Sequence, residues 1–228
     1  FMMLPMVAGM MTATIISGQI TSRTGKYKMF MVIGPILLTL GYLYLTSFNA
    51  DTQFWQAAIG MVLIGLGLGQ LMQTLTLAAQ NSVPSSDVGV ATASATFFRQ
   101  MGGTLGVAVF ISILFNNLVD TIPAAFKRPE IAAGIKDALQ DPKVLGDPNN
   151  ADFLKGLQSG DMAALAGKLN TDSSFLNDLD PRLARPFLVG FADAGVTVFA
   201  SAAAVVAIAV VIAIFTKAPK LREKSAVQ

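Results

Sequence analysis

The chain has 228 residues, of which 53% are hydrophobic and only 13% charged, with 16 basic against 14 acidic side chains and a net charge of +2. Soluble domains carry about 25% charged residues, so this composition points to a membrane protein. With no Cys and no His, the chain has no disulfides, no thiolate or imidazole metal sites and no histidine proton relay, and neither an enzyme nor a cofactor is expected.

Residues 1–21 form a first uncharged apolar span with Pro5, Gly9 and Gly18 inside it; proline is tolerated there where neighbouring helices re-satisfy the freed carbonyl. Phe1 in place of an initiating Met, with no signal peptide, gives the expectation that an N-terminal portion is missing. The loop SRTGKYK, residues 22–28, carries Arg23, Lys26 and Lys28 and a turn glycine, Gly25. A second span, residues 29–48, contains Gly34, Pro35 and Gly41, with Tyr42 and Tyr44 toward its end. Asp51 follows in a short turn, and Trp55 stands where an interfacial aromatic is expected.

The third span, residues 55–81, organises the chain. At about 1.5 Å per helical residue it reaches across the ~30 Å hydrocarbon core. Gly65 and Gly69, four apart, let a neighbouring backbone come close. Gln70, Gln73, Leu77 and Gln80 share a helical stripe that Thr74 and Asn81 widen. Uncharged amides in hydrocarbon are costly unless they meet a partner or water, so the stripe either holds helices together or lines a polar cavity.

After a turn marked by Pro84, Ser85, Ser86 and Asp87, a fourth span runs over residues 88–118, longer than the bilayer needs. Thr92, Thr96, Arg99, Gly103 and Gly106 share a face, and Gly102 with Gly106 makes a second small-residue pair, expected to pack on the third span. Arg99 is the only basic residue inside a span. A charge at a helix centre costs about 2.5–3.5 kcal/mol, so Arg99 should face protein or water. It either holds a closed state or couples transport.

Residues 119–185 contain no long apolar run, and prolines interrupt them. Helical patterning at Ile131, Ile135, Ala138 and Leu139, and more weakly at Phe153, Leu154, Leu157, Leu165 and Leu169, predicts a helical insert outside the bilayer. The last span, residues 186–216, includes twenty uncharged residues from Val196 to Phe215. Asp193, just before them, is either a buried proton carrier with a raised pKa or an interfacial residue. The tail, residues 217–228, is basic through Lys217, Lys220, Arg222 and Lys224.

Five crossings put the loop at residues 22–28, the turn at 82–88 and the tail on one side, with seven basic residues against none in the opposite short turn at 49–56. That side is cytoplasmic, which places the insert, with 8 basic and 10 acidic residues, outside the cytoplasm.

The run from Gly18 to Lys26, GQITSRTGK, resembles the G-x-x-x-D-R-x-G-[RK] cytoplasmic loop of major facilitator transporters. Phe98 to Ala108, FRQMGGTLGVA, resembles a pattern of the fourteen-helix drug:proton antiporter group, which also often has a large extracytoplasmic loop before its last helix. Ser22 departs from the family's usual Asp, which puts a charge relay from that loop in doubt. The resemblance implies an all-α membrane protein: five transmembrane helices of a major-facilitator C-terminal bundle plus a helical extracytoplasmic insert. It implies a multi-pass plasma (inner) membrane protein that exports drugs or other amphipathic small molecules in exchange for protons by alternating access. Its partners would be the lipid bilayer, the substrate, protons and a missing N-terminal transporter half, with no nucleic acid.

On this reading Gln70, Gln73, Thr74, Gln80 and Thr96 line the cavity, and Arg99, Asp193, Arg23, Gly25 and Lys26 serve coupling or gating. Gly65, Gly69, Gly102 and Gly106 serve helix packing. A second reading, from another function class, is a membrane-anchored binding module whose insert docks an envelope partner or lipid.

Overall fold

A computed structural model describes residues 2–159, 176 and 178–216. The described residues form helices α1 (Leu4–Thr24), α2 (Lys28–Leu45), α3 (Phe54–Asn81), a 3₁₀ turn at Ser85–Asp87, α4 (Val88–Phe126), α5 (Pro129–Ala138), α6 (Pro142–Gly146), α7 (Pro148–Ser159) and α8 (Pro181–Phe215), with no strand among them. Five of these, α1 to α4 and α8, are long and apolar enough to cross a membrane. The all-α membrane architecture that the resemblance implies is therefore the one observed. The expected tail, residues 217–228, and Leu165 and Leu169 lie outside the described residues.

Prolines mark starts more often than breaks. Pro5, Pro129 and Pro142 sit in the first turn of α1, α5 and α6, where a missing N–H costs no helical hydrogen bond. Gly25 closes α1 in the left-handed region, at φ 68°, and its N–H donates to the Thr21 carbonyl at 2.9 Å. A side chain there would be strained, which is the physical need for glycine at this cap.

The chain divides into two compact units, residues 1–110 with 198–228 and residues 111–197, so the boundary falls within α4 and within α8. In the first unit α3 lies between α1 and α2. Gly9, Ala13, Ser17 and Thr21, spaced by four, are the buried residues of α1. A Cβ added to Gly65 would overlap the Met6 carbonyl, and one added to Gly69 would overlap that of Met10. On another face of α3, a Cβ at Gly67 would come 2.7 Å from the Gly34 carbonyl of α2, and one at Gly60 2.6 Å from Leu45. Leu38, Leu45 and Ile64 are the apolar centre of this unit, joined by Leu71, Phe199 and Val206.

The expected packing of Gly102 and Gly106 against the third span is corrected here. The notch at Gly65 and Gly69 is filled by α1, because its small-residue stripe lets the two backbones meet. A Cβ at Gly102 would meet nothing within 4 Å, and one at Gly106 only the Phe110 ring of its own helix at 3.9 Å. The first part of α4 is correspondingly open: Phe98 is 70% exposed and Leu105 61%.

The second unit is built around the end of α4, helices α5 to α7 and the start of α8. Ile131, Ile135 and Ala138 are buried on one face of α5, as the spacing predicts. Leu118, Ile122, Phe153, Leu183 and Phe187 belong to one core. Where α4 and α8 cross, Thr121 Oγ1 donates to the Gly190 carbonyl at 2.9 Å, and a Cβ at Gly190 would come 2.9 Å from Ile122 Cα. Asn150, 1% exposed, ties the segments together: its Nδ2 donates to the Val144 carbonyl and its Oδ1 accepts from the Asp180 N–H.

Arg182 donates to Asp141 and Asp180, each at 3.0 Å. Hydrogen bonding from its guanidinium, helped at Asp141 by the Lys143 N–H, holds both carboxyls below their ordinary value of 3.8. Carboxyls depressed in the folded state stabilise it above their unfolded pKa, and that contribution is lost as pH falls through the folded value. The hydrogen-exchange protection of residues 129–159, corrected for the intrinsic exchange rate at each pH, should therefore be level from neutral pH down to about pH 5 and fall below about pH 4. Arg182→Met should lower it at neutral pH and flatten the acid dependence. Equal acid profiles for the two proteins would show that the bridge contributes nothing.

Candidate functional site

The polar stripe of α3 is the candidate site, and its residues meet different surroundings along the helix. Thr74, 1% exposed, satisfies itself by donating Oγ1–H to the Gln70 backbone carbonyl at 2.7 Å. The Gln70 side chain is 9% exposed, and its Oε1 is buried with no hydrogen-bond partner among the described residues. Gln73 is half-buried and lies over Gly18 of α1, where an added Cβ would come within 3.0 Å of both its amide atoms. Gln70 and Thr74 are thus buried within the unit, and Gln73 is half-buried against α1.

Toward the end of α3 the stripe becomes adhesive. Gln80 Nε2 donates to Thr92 Oγ1 of α4 at 2.9 Å, and Asn81 Nδ2 donates to the Tyr27 hydroxyl at 3.5 Å. Tyr27 is itself 2% exposed, so the basic loop is anchored by a buried ring. Gln80 thus joins helices, whereas Gln70 Oε1 has no hydrogen-bond partner among the described residues.

Residues of α1 that sequence reasoning missed complete this region. Thr14 Oγ1 donates to the Gly69 carbonyl at 3.1 Å. Ser17 is 1% exposed, and Thr21, 2% exposed, has a buried hydroxyl without a partner among the described residues. The available signal was the four-residue spacing of Gly9, Ala13, Ser17 and Thr21, which puts small and hydroxylated residues on one face. A buried polar atom left unpaired costs about 1–3 kcal/mol, and such groups in native proteins commonly meet ordered water.

The charged candidates are scattered. Arg99 is exposed on α4 and has no acidic partner among the described residues. It lies eleven residues into α4, about 16 Å along the axis. Thr96 is half-buried on the same helix. Nearby, Gln100, Gly103, Thr104 and Val107 border an open groove of roughly 570 Å³. Arg23 and Lys26 are exposed on either side of Gly25, and Ser22 Oγ bonds locally to the Gln19 carbonyl at 2.9 Å.

Asp193 is not a solitary acid. It accepts from Arg128, in the turn between α4 and α5, at 2.5 Å, and the two side chains are 34% and 43% exposed. Of the two expectations for this residue, the placement is that of an ion-paired group at the edge of the insert. The proton-carrier expectation arose from possible burial of Asp193 in the membrane, and Arg128, 65 positions away, is not visible from α8 alone.

The family model described as Major Facilitator Superfamily matches residues 1–107. The chain is 29% identical over 189 residues to a tetracycline resistance determinant of Streptomyces rimosus, covering 83% of this chain and 52% of that protein. It is 31% identical to the multidrug transporter protein MdtP of Bacillus subtilis, covering 98% of this chain and 40% of that protein. It is 30% identical over 121 residues to the efflux pump roqT of Penicillium rubens, covering 53% of this chain and 22% of that protein. The chain thus spans about half or less of the length of these relatives. No solved structure matches it. The helices, the basic loop closed by Gly25 and the matches along nearly the whole chain lead to one conclusion: the chain belongs to the major facilitator superfamily.

Proposed function

We propose that this chain is part of a secondary active exporter that carries drugs or other amphipathic small molecules across the plasma membrane in exchange for protons. Alternating access would rock its helices against an N-terminal half, around a cavity near the bilayer midplane. The five spans would correspond to the last five of a fourteen-helix transporter, with the tail cytoplasmic and the insert outside. The observation that carries the reading is the buried Oε1 of Gln70, without a hydrogen-bond partner among the described residues, inside an uncharged span of a chain from this superfamily. A transported molecule or a water column would supply the missing donor.

In this proposal Gln70, Gln73, Thr74 and Thr96 serve the substrate path, Gln80 fixes α4 against α3, and Arg99 couples or gates. Gly25 would shape a gating loop whose charges are Arg23 and Lys26. The open face of α4 around Gly102 and Gly106 would meet helices of the other half. Asp193 would hold the insert in place through Arg128 rather than carry protons.

The test is proton-coupled efflux by the full-length protein in vesicles. Gln70→Leu should lower the transport rate about tenfold, the loss of one hydrogen bond to substrate or water. Asp193→Asn should leave proton exchange intact. Absence of pH-gradient-driven efflux from the wild-type protein would refute the exporter reading, and a fully active Gln70→Leu would remove Gln70 from the path.

A further inference from the structure

The turn joining α2 to α3 borders an open cavity of roughly 520 Å³ that the transport reading does not use. Tyr44, Phe48 and Trp55 supply its aromatic wall, Asp51 its carboxylate, and Gln53 and Gln56 part of its polar wall. No basic residue borders it. Asp51 is moreover the only charged side chain between Lys28 and Asp87, so the one formal charge of two apolar helices stands at this cavity.

The rings are held in place. Tyr44 and Phe48, one helical turn apart, meet edge to face with centroids 5.3 Å apart at 77°. Trp55 Nε1 donates to Gln53 Oε1 at 2.6 Å. Gln53 is the N-cap of α3, and its N–H donates in turn to Gln56 Oε1 at 3.1 Å in a reciprocal capping box. The indole is therefore tied to the start of a helix, and little side-chain freedom is left to lose on binding.

We propose that this cavity binds an alkylammonium group at the membrane surface. Aromatic faces attract cations, and an aromatic wall with one carboxylate favours a quaternary or primary ammonium over an anion or a neutral group. The size suits a headgroup, since small-molecule sites occupy about 300–1,000 Å³. Leu40 and Leu43 of α2, both 51% exposed, continue from Tyr44 as an apolar strip on which a hydrocarbon tail can lie. The ammonium can come from a zwitterionic lipid or from a soluble amine. The site is independent of whether the protein transports anything.

Trp55 is the only tryptophan in the chain, so its emission reports on this cavity alone. The chain in detergent is titrated with choline and with 3,3-dimethylbutanol, the neutral carbon isostere of choline. It is also reconstituted in nanodiscs of phosphatidylcholine and of phosphatidylglycerol. A saturable change with choline that the isostere does not produce, weakened about tenfold or more in Asp51→Asn and in Tyr44→Leu, supports the site. If phosphatidylcholine nanodiscs abolish the response to added choline and phosphatidylglycerol nanodiscs do not, the occupant is a lipid headgroup; if both leave it, the occupant is a soluble amine. Equal responses to choline and its isostere, or an Asp51→Asn protein that responds like the wild type, would overturn the proposal and leave the rings as an interfacial belt.

Discussion

Gly69→Val is expected to lower the stability of the α1–α3 pair by about 3 kcal/mol, the upper end of the usual cost of overpacking. The first added carbon would overlap the Met10 carbonyl oxygen and come 3.0 Å from the Met10 carbonyl carbon and from Ala13 Cβ. Two of these are backbone atoms, which cannot swing aside as the end of a side chain would. Helix α1 would have to move away from α3, and the hydrogen bond from Thr14 to the Gly69 carbonyl would lengthen from 3.1 Å or break. Gly102→Ala provides the contrast, because an added Cβ there meets nothing within 4 Å and the helix gains from the change. Thermal unfolding of the two purified variants in detergent checks this. If Gly69→Val melts with Gly102→Ala, the close approach of α1 and α3 is wrong.

Phe187→Ala should cost about 3–5 kcal/mol and release the insert. Phe187 is 0% exposed, and its ring meets those of Phe126 and Phe153 edge to face at 5.6 and 5.8 Å. It therefore joins the end of α4 and helix α7 to the start of α8, and its removal leaves a cavity that three separate segments would have to close. Hydrogen exchange read by mass spectrometry should show faster exchange across residues 129–159. Phe187→Leu, which keeps most of the volume, should cost less than about 1.5 kcal/mol. Unchanged exchange at residues 129–159 in the alanine variant would show that this ring does not support the insert.

Much of the site was legible because its signals are local. The stripe of Gln70, Gln73, Thr74 and Gln80 follows from helical spacing alone, and all four residues lie on α3. Their division of labour was not legible. Whether an amide meets a threonine, as Gln80 meets Thr92, or is buried without a partner among the described residues, as Gln70 Oε1 is, depends on which helices adjoin it. The glycines of α3 illustrate the same limit. Only Gly65 and Gly69 were read as a packing face, and these point to α1, whereas at 100° per residue Gly60 and Gly67 point to α2.

Element ends also divided along this line. The fourth span was expected to end at residue 118 and the last to begin at residue 186, because residues 119–185 contain no long apolar run. Both helices in fact run on, α4 to Phe126 and α8 from Pro181. Charge sets where a helix leaves the bilayer, not where its hydrogen bonds stop, and here the core around Ile122 and Phe187 keeps both extensions helical.

By itself, then, the sequence determined that five apolar helices exist, that an insert separates the last two, and that α3 carries the polar stripe, since hydrophobicity and helical period are properties of each segment alone. Only the tertiary structure decided that α1 occupies the Gly65–Gly69 notch, that the glycines of α4 stay open, and that Asp193 is paired with Arg128. Those outcomes depend on residues far apart in the chain, 55 positions from Thr14 to Gly69 and 65 from Arg128 to Asp193, and no local pattern records which of them meet.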